Sequence, residues 1–126
     1  MATILIVEDE QQILELLKIT LMVEHQVEQA ANAAQAIELA QRLRPDLILL
    51  DLDLGGDQDS LEVCRTLRSE ADPILAQVPI VILAGAVAQA DIRAALKAGA
   101  NSYMRKPYSP KSLLTVVGAL IGKKDA

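Results

Sequence analysis

The fold is indicated most clearly by the stretch Pro45-Asp46-Leu47-Ile48-Leu49-Leu50-Asp51-Leu52-Asp53. It contains an unbroken apolar run, residues 47–50, which follows Pro45-Asp46 and ends at Asp51. A short apolar run without polar alternation is typical of a strand buried on both faces of a parallel sheet. Its length fits a strand better than a helix, and Gly55-Gly56 follow it as a turn signal. Asp51 therefore lies at the carboxyl edge, where open parallel sheets bind ligands. It either caps the next helix or acts as a nucleophile or metal ligand.

The same pattern recurs along the chain. Apolar runs occupy residues 3–7 and 80–83. Residues 102–105 are predicted to be a short fifth strand, and residues 27–31 a weaker, partly polar strand near a sheet edge. Between them, apolar side chains recur at the spacing of one helix face. These stripes are Ile13, Leu16, Leu17, Thr20, Leu21; Ala33, Ala36, Ile37, Ala40; Val63, Cys64, Leu67; Ile92, Ala95, Leu96; and Leu113, Val116, Val117, Leu120, Ile121. Five strands alternating with five helices predict one α/β domain over residues 1–126, with a doubly wound parallel sheet.

Three local predictions accompany this pattern. Residues 69–78 are predicted to be a connection, interrupted at Asp72-Pro73. Arg65 and Arg68 fall off the apolar stripe of the third helix and are predicted to lie outside it. Gly99 is predicted to end the fourth helix, because glycine adopts the left-handed conformation common after a helix.

Composition narrows the classes of function. Twelve basic and seventeen acidic residues give a net charge of -5, which argues against direct binding to nucleic acid or an anionic membrane surface. No apolar stretch reaches membrane-spanning length and no signal-peptide pattern is present, so we expect a cytoplasmic protein. The single cysteine, Cys64, is predicted to be a small core residue. The chain has one histidine, His25, and one cysteine with one histidine do not form a zinc-binding motif. His25 is predicted to be a solvated loop residue.

Acidic and basic residues gather at one edge of the predicted sheet. The carboxyl ends of parallel strands share an edge, which brings together six positions: Glu8, Asp9, Asp51, Asp53, Ala84 and Lys106. Clustered carboxylates repel one another, and a divalent cation with an ammonium group neutralises them. Magnesium suits such a site because it takes a few carboxylate oxygens and keeps several waters, and Lys106 supplies a mobile point charge.

These residues also carry a family resemblance. Glu8-Asp9, Asp51, and the stretch from Gly99-Ala100 through Tyr103 to Lys106-Pro107 stand in order on a five-fold βα pattern. Together they resemble the receiver domain of two-component response regulators, over essentially the whole chain. The resemblance implies a flavodoxin-like sheet with strand order 2-1-3-4-5.

The resemblance implies roles for the acidic cluster. Asp51 would accept a phosphoryl group from a sensor histidine kinase, a phosphotransfer protein or a small phosphodonor. Glu8, Asp9 and Asp51 would hold magnesium with the backbone carbonyl of Asp53. Lys106 would contact the phosphoryl oxygens, and a downstream output protein or domain would respond. Self-phosphorylation and slow self-dephosphorylation would be its only chemistry, so it is not expected to be an enzyme in the metabolic sense.

The chain departs from the family at the switch. Tyr103 would turn inward on activation, and the Lys106–Pro107 peptide bond would be cis. Members usually carry Thr or Ser where this chain has Ala84, and alanine lacks the hydroxyl that bonds a phosphoryl oxygen. A hydrogen bond to a charged group is worth about 1.5–3 kcal/mol. We therefore expect weakened coupling between Asp51 and Tyr103, unless the backbone N–H of Gly85 takes over.

Two further departures concern loops. Members commonly have a proline four residues past the acceptor and a glycine before the third helix, whereas Gly55 and Asp59 or Ser60 stand there in this chain. One DNA-binding branch uses acidic residues for an inter-subunit ion-pair network where this chain has Asn101 and Ser102. We expect a monomer or a weak dimer through the helices that contain Ile92 and Leu113.

Three classes of function follow. The first is a phosphorylatable receiver with altered switching. The second is a pseudo-receiver, an interaction module that works without phosphorylation; Ala84 favours it, and the intact acidic cluster opposes it. The third is a small magnesium-dependent phosphohydrolase, for which Asp53 stands at the position of the second acid. The shortness of the chain opposes this third class.

Overall fold

The structure is a computed structural model that describes residues 2–54, 60–85, 89–106 and 109–125, the last four without their side chains. Its strands are β1 (Thr3–Val7), β2 (Gln26–Ala30), β3 (Leu47–Asp51), β4 (Ile80–Ala84) and β5 (Ser102–Arg105). Its helices are α1 (Gln11–Leu21), α2 (Ala33–Leu43), α3 (Ser60–Arg68), α4 (Pro73–Ala76), α5 (Gln89–Ala98) and α6 (Pro110–Asp125).

The five strands form one parallel sheet in the order β2-β1-β3-β4-β5. This confirms the predicted α/β class and strand order. The partly polar strand β2 lies at an edge, as expected, and begins one residue earlier than predicted. Strands β3 and β4 are buried along their whole length, which explains why their sequences show no polar alternation.

Two apolar layers cover the sheet, one on each face. Alternate residues of a strand point to opposite faces, so Leu5 and Val7 pack with α2, α3 and α5, whereas Ile4 and Ile6 pack with α1 and α6. Cys64 is fully buried in the first layer, as predicted. Among the helices that the structure describes, none has the length and hydropathy needed to cross a membrane.

Helix α1 corrects one predicted stripe. Leu17 and Leu21 are buried as expected, but Leu16 is 48% exposed and Leu14 is buried in its place. Apolar residues lie nearly all round this helix, so spacing alone does not say which of them meets the sheet. The contact of α1 with the sheet and α6 selects the face with Leu14.

Helix α4 corrects the predicted connection after α3. Within residues 69–78, Asp72 accepts a hydrogen bond from the backbone N–H of Ile74, and Pro73 fills the first helical position. Both features favour a helix start. Burial of Leu75 against the α2/α3/α5 layer then holds the single turn in place.

Two polar side chains are less exposed than predicted. Arg68 was expected to lie outside α3, but its guanidinium donates to the carbonyls of Gly99 and Ala76 and to Asn101 Oδ1. Gly99 ends α5 with φ +127°, the left-handed conformation predicted for it. His25 follows α1 as expected, yet it is partly buried, and its Nδ1 accepts the Ala2 N–H at 3.3 Å.

Candidate functional site

The site lies at the carboxyl edge of the sheet and is assembled by strand alternation. Ile6 and Leu49 point into the α1/α6 layer, as does Met104. The residues two positions after each of these are Glu8, Asp51 and Lys106, so the period of two directs them to the same side of the sheet. Glu8 and Asp51 are 1% and 2% exposed.

Lys106 connects the two buried carboxylates. Its Nζ lies 3.3 Å from Glu8 Oε1 and 3.2 Å from Asp51 Oδ1. Its backbone N–H donates to the carbonyl of Ala84 at 2.6 Å, which fixes the chain just after β5 against the end of β4. The ammonium group, with a side chain 20% exposed, compensates charge that would otherwise be costly to bury.

The site changes the acid–base properties of its residues. Burial, assisted by the neighbouring Asp51, raises the pKa of Glu8 from 4.5 to about 7, although Lys106 opposes this rise. Burial lowers the pKa of Lys106, but the charges of Asp51 and Glu8 outweigh it, so its pKa lies above the ordinary value. Lys106 is therefore cationic at neutral pH, whereas Glu8 titrates close to neutrality.

Asp51 is held through both its side chain and its backbone. Its Oδ1 accepts the backbone N–H of Asp53 at 3.2 Å as well as Lys106 Nζ. Its backbone carbonyl accepts the hydroxyl of Ser60, which is fully buried at the start of α3. The sequence alone places Ser60 in a turn-rich loop and assigns it no role, because only the fold brings α3 back to the end of β3.

The donor set fits a hard divalent cation. One carboxylate oxygen from each of Glu8, Asp9 and Asp51 lies within 4.8 Å of the others. Asp9 is exposed, so a cation approaching from solvent reaches it first. A few carboxylate oxygens beside open solvent suit magnesium, which keeps several of its waters. The cluster therefore agrees with the predicted metal at the level of donor chemistry.

The two predicted switch positions lie on β4 and β5. Ala84 is fully buried at the end of β4, and Tyr103 is 39% exposed on β5. A Cβ placed on the neighbouring Gly85 meets no atom of the described residues within 4 Å. Tyr103 thus lies partly in solvent, whereas Ala84 does not.

Several predictions fall outside the described residues. They concern Gly55 and Asp59 of the loop after Asp51, and Pro107 with its predicted cis bond to Lys106. The side chain of Asp53 is exposed.

The fold and the cluster define a flavodoxin-like parallel α/β domain with an acidic pocket and a lysine at the carboxyl edge of its sheet. The chain belongs to the response regulator receiver family: the family description "Response regulator receiver domain" matches residues 4–118. It is the receiver domain of a two-component response regulator, as the sequence resemblance indicated.

Curated relatives include DNA-binding response regulators. The chain is 37% identical over 123 residues to the DNA-binding response regulator MtrA of Mycolicibacterium paratuberculosis, covering 97% of this chain and 52% of that protein. It is 36% identical over 119 residues to the response regulator MprA of Mycobacterium leprae, covering 94% of this chain and 50% of that protein. The chain thus spans about half the length of these relatives.

Solved receiver structures resemble the whole domain. A putative response regulator from Chloroflexus aurantiacus has a TM-score of 0.88 at 29% identity, covering 96% of this chain and 98% of that one. The receiver domain of sensor histidine kinase PA1611 from Pseudomonas aeruginosa has a TM-score of 0.87 at 30% identity, with the same coverage. That structure has a magnesium ion coordinated in its active site cleft.

Proposed function

We propose that Asp51 accepts a phosphoryl group in a magnesium-dependent reaction, and that this domain passes a signal from a histidine kinase or phosphotransfer protein to an output protein or domain. The observation that carries the proposal is the ammonium of Lys106 held between Glu8 and Asp51 at 3.3 and 3.2 Å. A lysine beside a nearly buried aspartate compensates charge where an incoming phosphoryl group would add more.

The side chains divide the work of phosphoryl transfer. A carboxylate oxygen of Asp51 forms the new bond to phosphorus while the donor's bond to phosphorus breaks, and the leaving group keeps that electron pair. Lys106 compensates the charge on the equatorial oxygens. When bound, magnesium would neutralise further charge on those oxygens, held by Glu8, Asp9 and Asp51 with the backbone carbonyl of Asp53. Positioning and electrostatics carry most of the catalysis in such transfers.

The switch is altered by Ala84. A phosphoryl group on Asp51 cannot recruit a hydroxyl at the end of β4, because residue 84 is an alanine. The pull that would draw the neighbouring loop inward is lost, so Tyr103 responds only weakly to the state of Asp51. Family members with Thr or Ser couple these positions through that hydroxyl. The backbone N–H of the neighbouring Gly85 is the substitute donor that the sequence offers.

Intact mass spectrometry tests the acceptor. The protein is incubated with acetyl phosphate, with and without magnesium, beside the variants Asp51→Asn and Asp53→Asn. We expect one magnesium-dependent phosphoryl increment in the wild type and in Asp53→Asn, and none in Asp51→Asn. Asp53→Asn is the matched control, because it changes an exposed carboxylate two residues away and keeps the backbone carbonyl. An increment that survives in Asp51→Asn would refute the assignment.

A second experiment tests the switch. Amide NMR shifts around Tyr103 are followed during phosphorylation in the wild type, Ala84→Ser and Gly85→Ala. The serine adds one hydroxyl at the missing position, so the shift changes at Tyr103 should grow in Ala84→Ser alone. Gly85→Ala adds a methyl into open space and controls for bulk. Equal responses in all three proteins would show that residue 84 does not limit the coupling.

Ala84 also favours a second candidate, the pseudo-receiver that binds a partner without phosphorylation. This function predicts that magnesium binds and the fold is intact, yet no phosphoryl increment forms. A partner would then bind wild type and Asp51→Asn equally. The acidic cluster and Lys106 favour the phosphorylated receiver, since a purely structural module has no need to bury two carboxylates beside a lysine.

The remaining assignments belong to the same proposal. Residues 1–126 form one receiver domain that acts in the cytoplasm. With a net charge of -5, the domain does not itself bind nucleic acid or a membrane surface. With Asn101 and Ser102 in place of acids, it is a monomer or a weak dimer through α5 and α6. Sedimentation that finds a tight dimer before phosphorylation would contradict this last assignment.

A further inference from the structure

Ser60 is a buried hydroxyl at the edge of the acidic site. It is fully buried, and the only other buried polar or charged residues in the described part of the chain are Glu8 and Asp51. Its hydroxyl donates to the backbone carbonyl of Asp51, nine residues earlier in the chain. A hydroxyl is buried without penalty only when it is hydrogen-bonded, and here its partner is the backbone of the proposed acceptor.

The hydrogen bond from Ser60 matters because Asp51 is the last residue of β3. The pairing of β3 with β1 ends at Leu50, opposite Val7, while the pairing with β4 extends to Asp51, opposite Leu83. The register with β1 therefore ends one residue before Asp51. Ser60 joins the end of β3 to the start of α3, and so restricts the backbone from which the carboxylate projects.

We propose that Ser60 is a positioning residue for phosphoryl transfer, which holds the backbone of Asp51 so that its carboxylate stays aligned with Lys106. The inference rests on the proposed function and deepens it. Ser60 does not contact the phosphoryl group in this role; it acts through the backbone of Asp51. Receiver domains commonly have a glycine before this helix, which offers no hydroxyl, so the device is a feature of this chain.

The chain offers a matched control for the hydroxyl. Ser69, just beyond the other end of α3, also donates its hydroxyl to a backbone carbonyl, that of Arg65 at 2.9 Å, but it is exposed and remote from Asp51. Ser60→Ala and Ser69→Ala therefore remove the same kind of bond from opposite ends of one helix. Ser60→Thr keeps a hydroxyl and should restore function.

The first measurement is the rate of phosphorylation by acetyl phosphate at saturating magnesium, followed by intact mass. We expect the maximal rate to fall about 3- to 10-fold in Ser60→Ala, the loss that corresponds to one net hydrogen bond. The donor concentration at half-maximal rate should stay unchanged, because Ser60 does not bind the donor. Ser69→Ala should match the wild type, and Ser60→Thr should recover most of the rate.

The second measurement does not depend on phosphorylation. The Asp53 amide donates to the Asp51 carboxylate, so its NMR shift and hydrogen-exchange protection report the position of that carboxylate. Both should change in Ser60→Ala and stay unchanged in Ser69→Ala. If the wild type takes up no phosphoryl group, the proposed function fails, and this amide still decides whether Ser60 positions Asp51.

The proposal would be overturned if Ser60→Ala changed neither the phosphorylation rate nor the NMR shift and hydrogen-exchange protection of the Asp53 amide. A rate loss equal to that of Ser69→Ala would also overturn it, since the effect would then be general to α3. Should Ser60→Ala fail to fold, Ser60→Gly takes its place, because glycine is tolerated at this point in the family and equally lacks the hydroxyl.

Discussion

Replacing Arg68 with alanine should destabilise the domain far more than its surface position in the sequence pattern suggests. The guanidinium at the end of α3 donates to the carbonyl of Gly99 at 3.0 Å, to that of Ala76 at 3.1 Å and to Asn101 Oδ1 at 2.9 Å. The same Asn101 oxygen accepts the Ile80 N–H at 2.8 Å. One side chain thus joins α4, the end of α5 and the starts of β4 and β5.

The size of the effect follows from these bonds. A hydrogen bond to a charged group contributes about 1.5–3 kcal/mol. Three such bonds set an upper limit on the stabilisation that Arg68 provides. Partial burial of the guanidinium reduces this stabilisation, because removing a charged group from water is costly. The same burial lowers the pKa of Arg68. Solvent also replaces part of the lost bonding in the variant. We therefore expect Arg68→Ala to lower the free energy of unfolding by about 2–4 kcal/mol.

Urea denaturation measures this loss. At a slope of about 2 kcal/mol per molar urea, the midpoint should fall by about 1–2 M. Arg65→Ala is the matched control: it lies on the same helix, and its pair with Glu62 at 3.6 Å is exposed. Such a pair is worth about 0–1 kcal/mol. Arg68→Met keeps the aliphatic stem and separates packing from hydrogen bonding. A loss in Arg68→Ala no greater than that in Arg65→Ala would refute the reasoning.

Three further perturbations test the site and the packing. Because the pKa of Glu8 is raised from 4.5 to about 7, its ionisation costs stability as pH rises through this window. Glu8→Gln should remove that loss in magnesium-free buffer, so its free energy of unfolding should exceed that of the wild type by about 1–3 kcal/mol at pH 8 but not at pH 4.5. Urea denaturation at both pH values measures this difference. The same pH dependence in the variant and the wild type would contradict the prediction. Gly99→Ala should lower the thermal midpoint, since φ is +127° and the new Cβ would stand 2.6 Å from Arg68 Cγ; an unchanged midpoint would show that Arg68 moves aside without cost. Gly118→Ala should raise the free energy of unfolding by about 0.5–1 kcal/mol, because Gly118 lies inside α6 and a Cβ there meets no described atom within 4 Å. A lower thermal midpoint of the variant in calorimetry would argue against a helix at this position.

Under the proposed function, the acidic site gives up some stability in exchange for phosphoryl transfer. Two nearly buried carboxylates lie against one ammonium, and burial together with the neighbouring Asp51 raises the pKa of Glu8. A variant that relieves the repulsion gains stability and loses a ligand for a cation. Stability and phosphorylation should therefore respond in opposite directions to Glu8→Gln, which distinguishes a functional cluster from a structural one.

Much of the site could be predicted because strand ends are local features of a sequence. Strands β1, β3 and β4 are short apolar runs, and the residue where each run stops is read directly from the sequence, as for Glu8 and Asp51. Parallel strands place their carboxyl ends at one edge, so the meeting of these acids with Lys106 follows from the pattern alone. Their 3.2–3.3 Å contacts agree with that prediction.

Apolar runs, helical spacing and strand alternation are encoded by neighbours in the chain, so the strands, the parallel sheet and the edge at which the acids gather could all be predicted. The buried face of α1 depends instead on packing against the sheet and α6, which exposes Leu16 and buries Leu14. Tertiary packing also lets Arg68 bond to three distant groups and Ser60 bond to the backbone of Asp51. These contacts join residues 8 to 33 positions apart, and their free energy depends on burial, which no local pattern specifies.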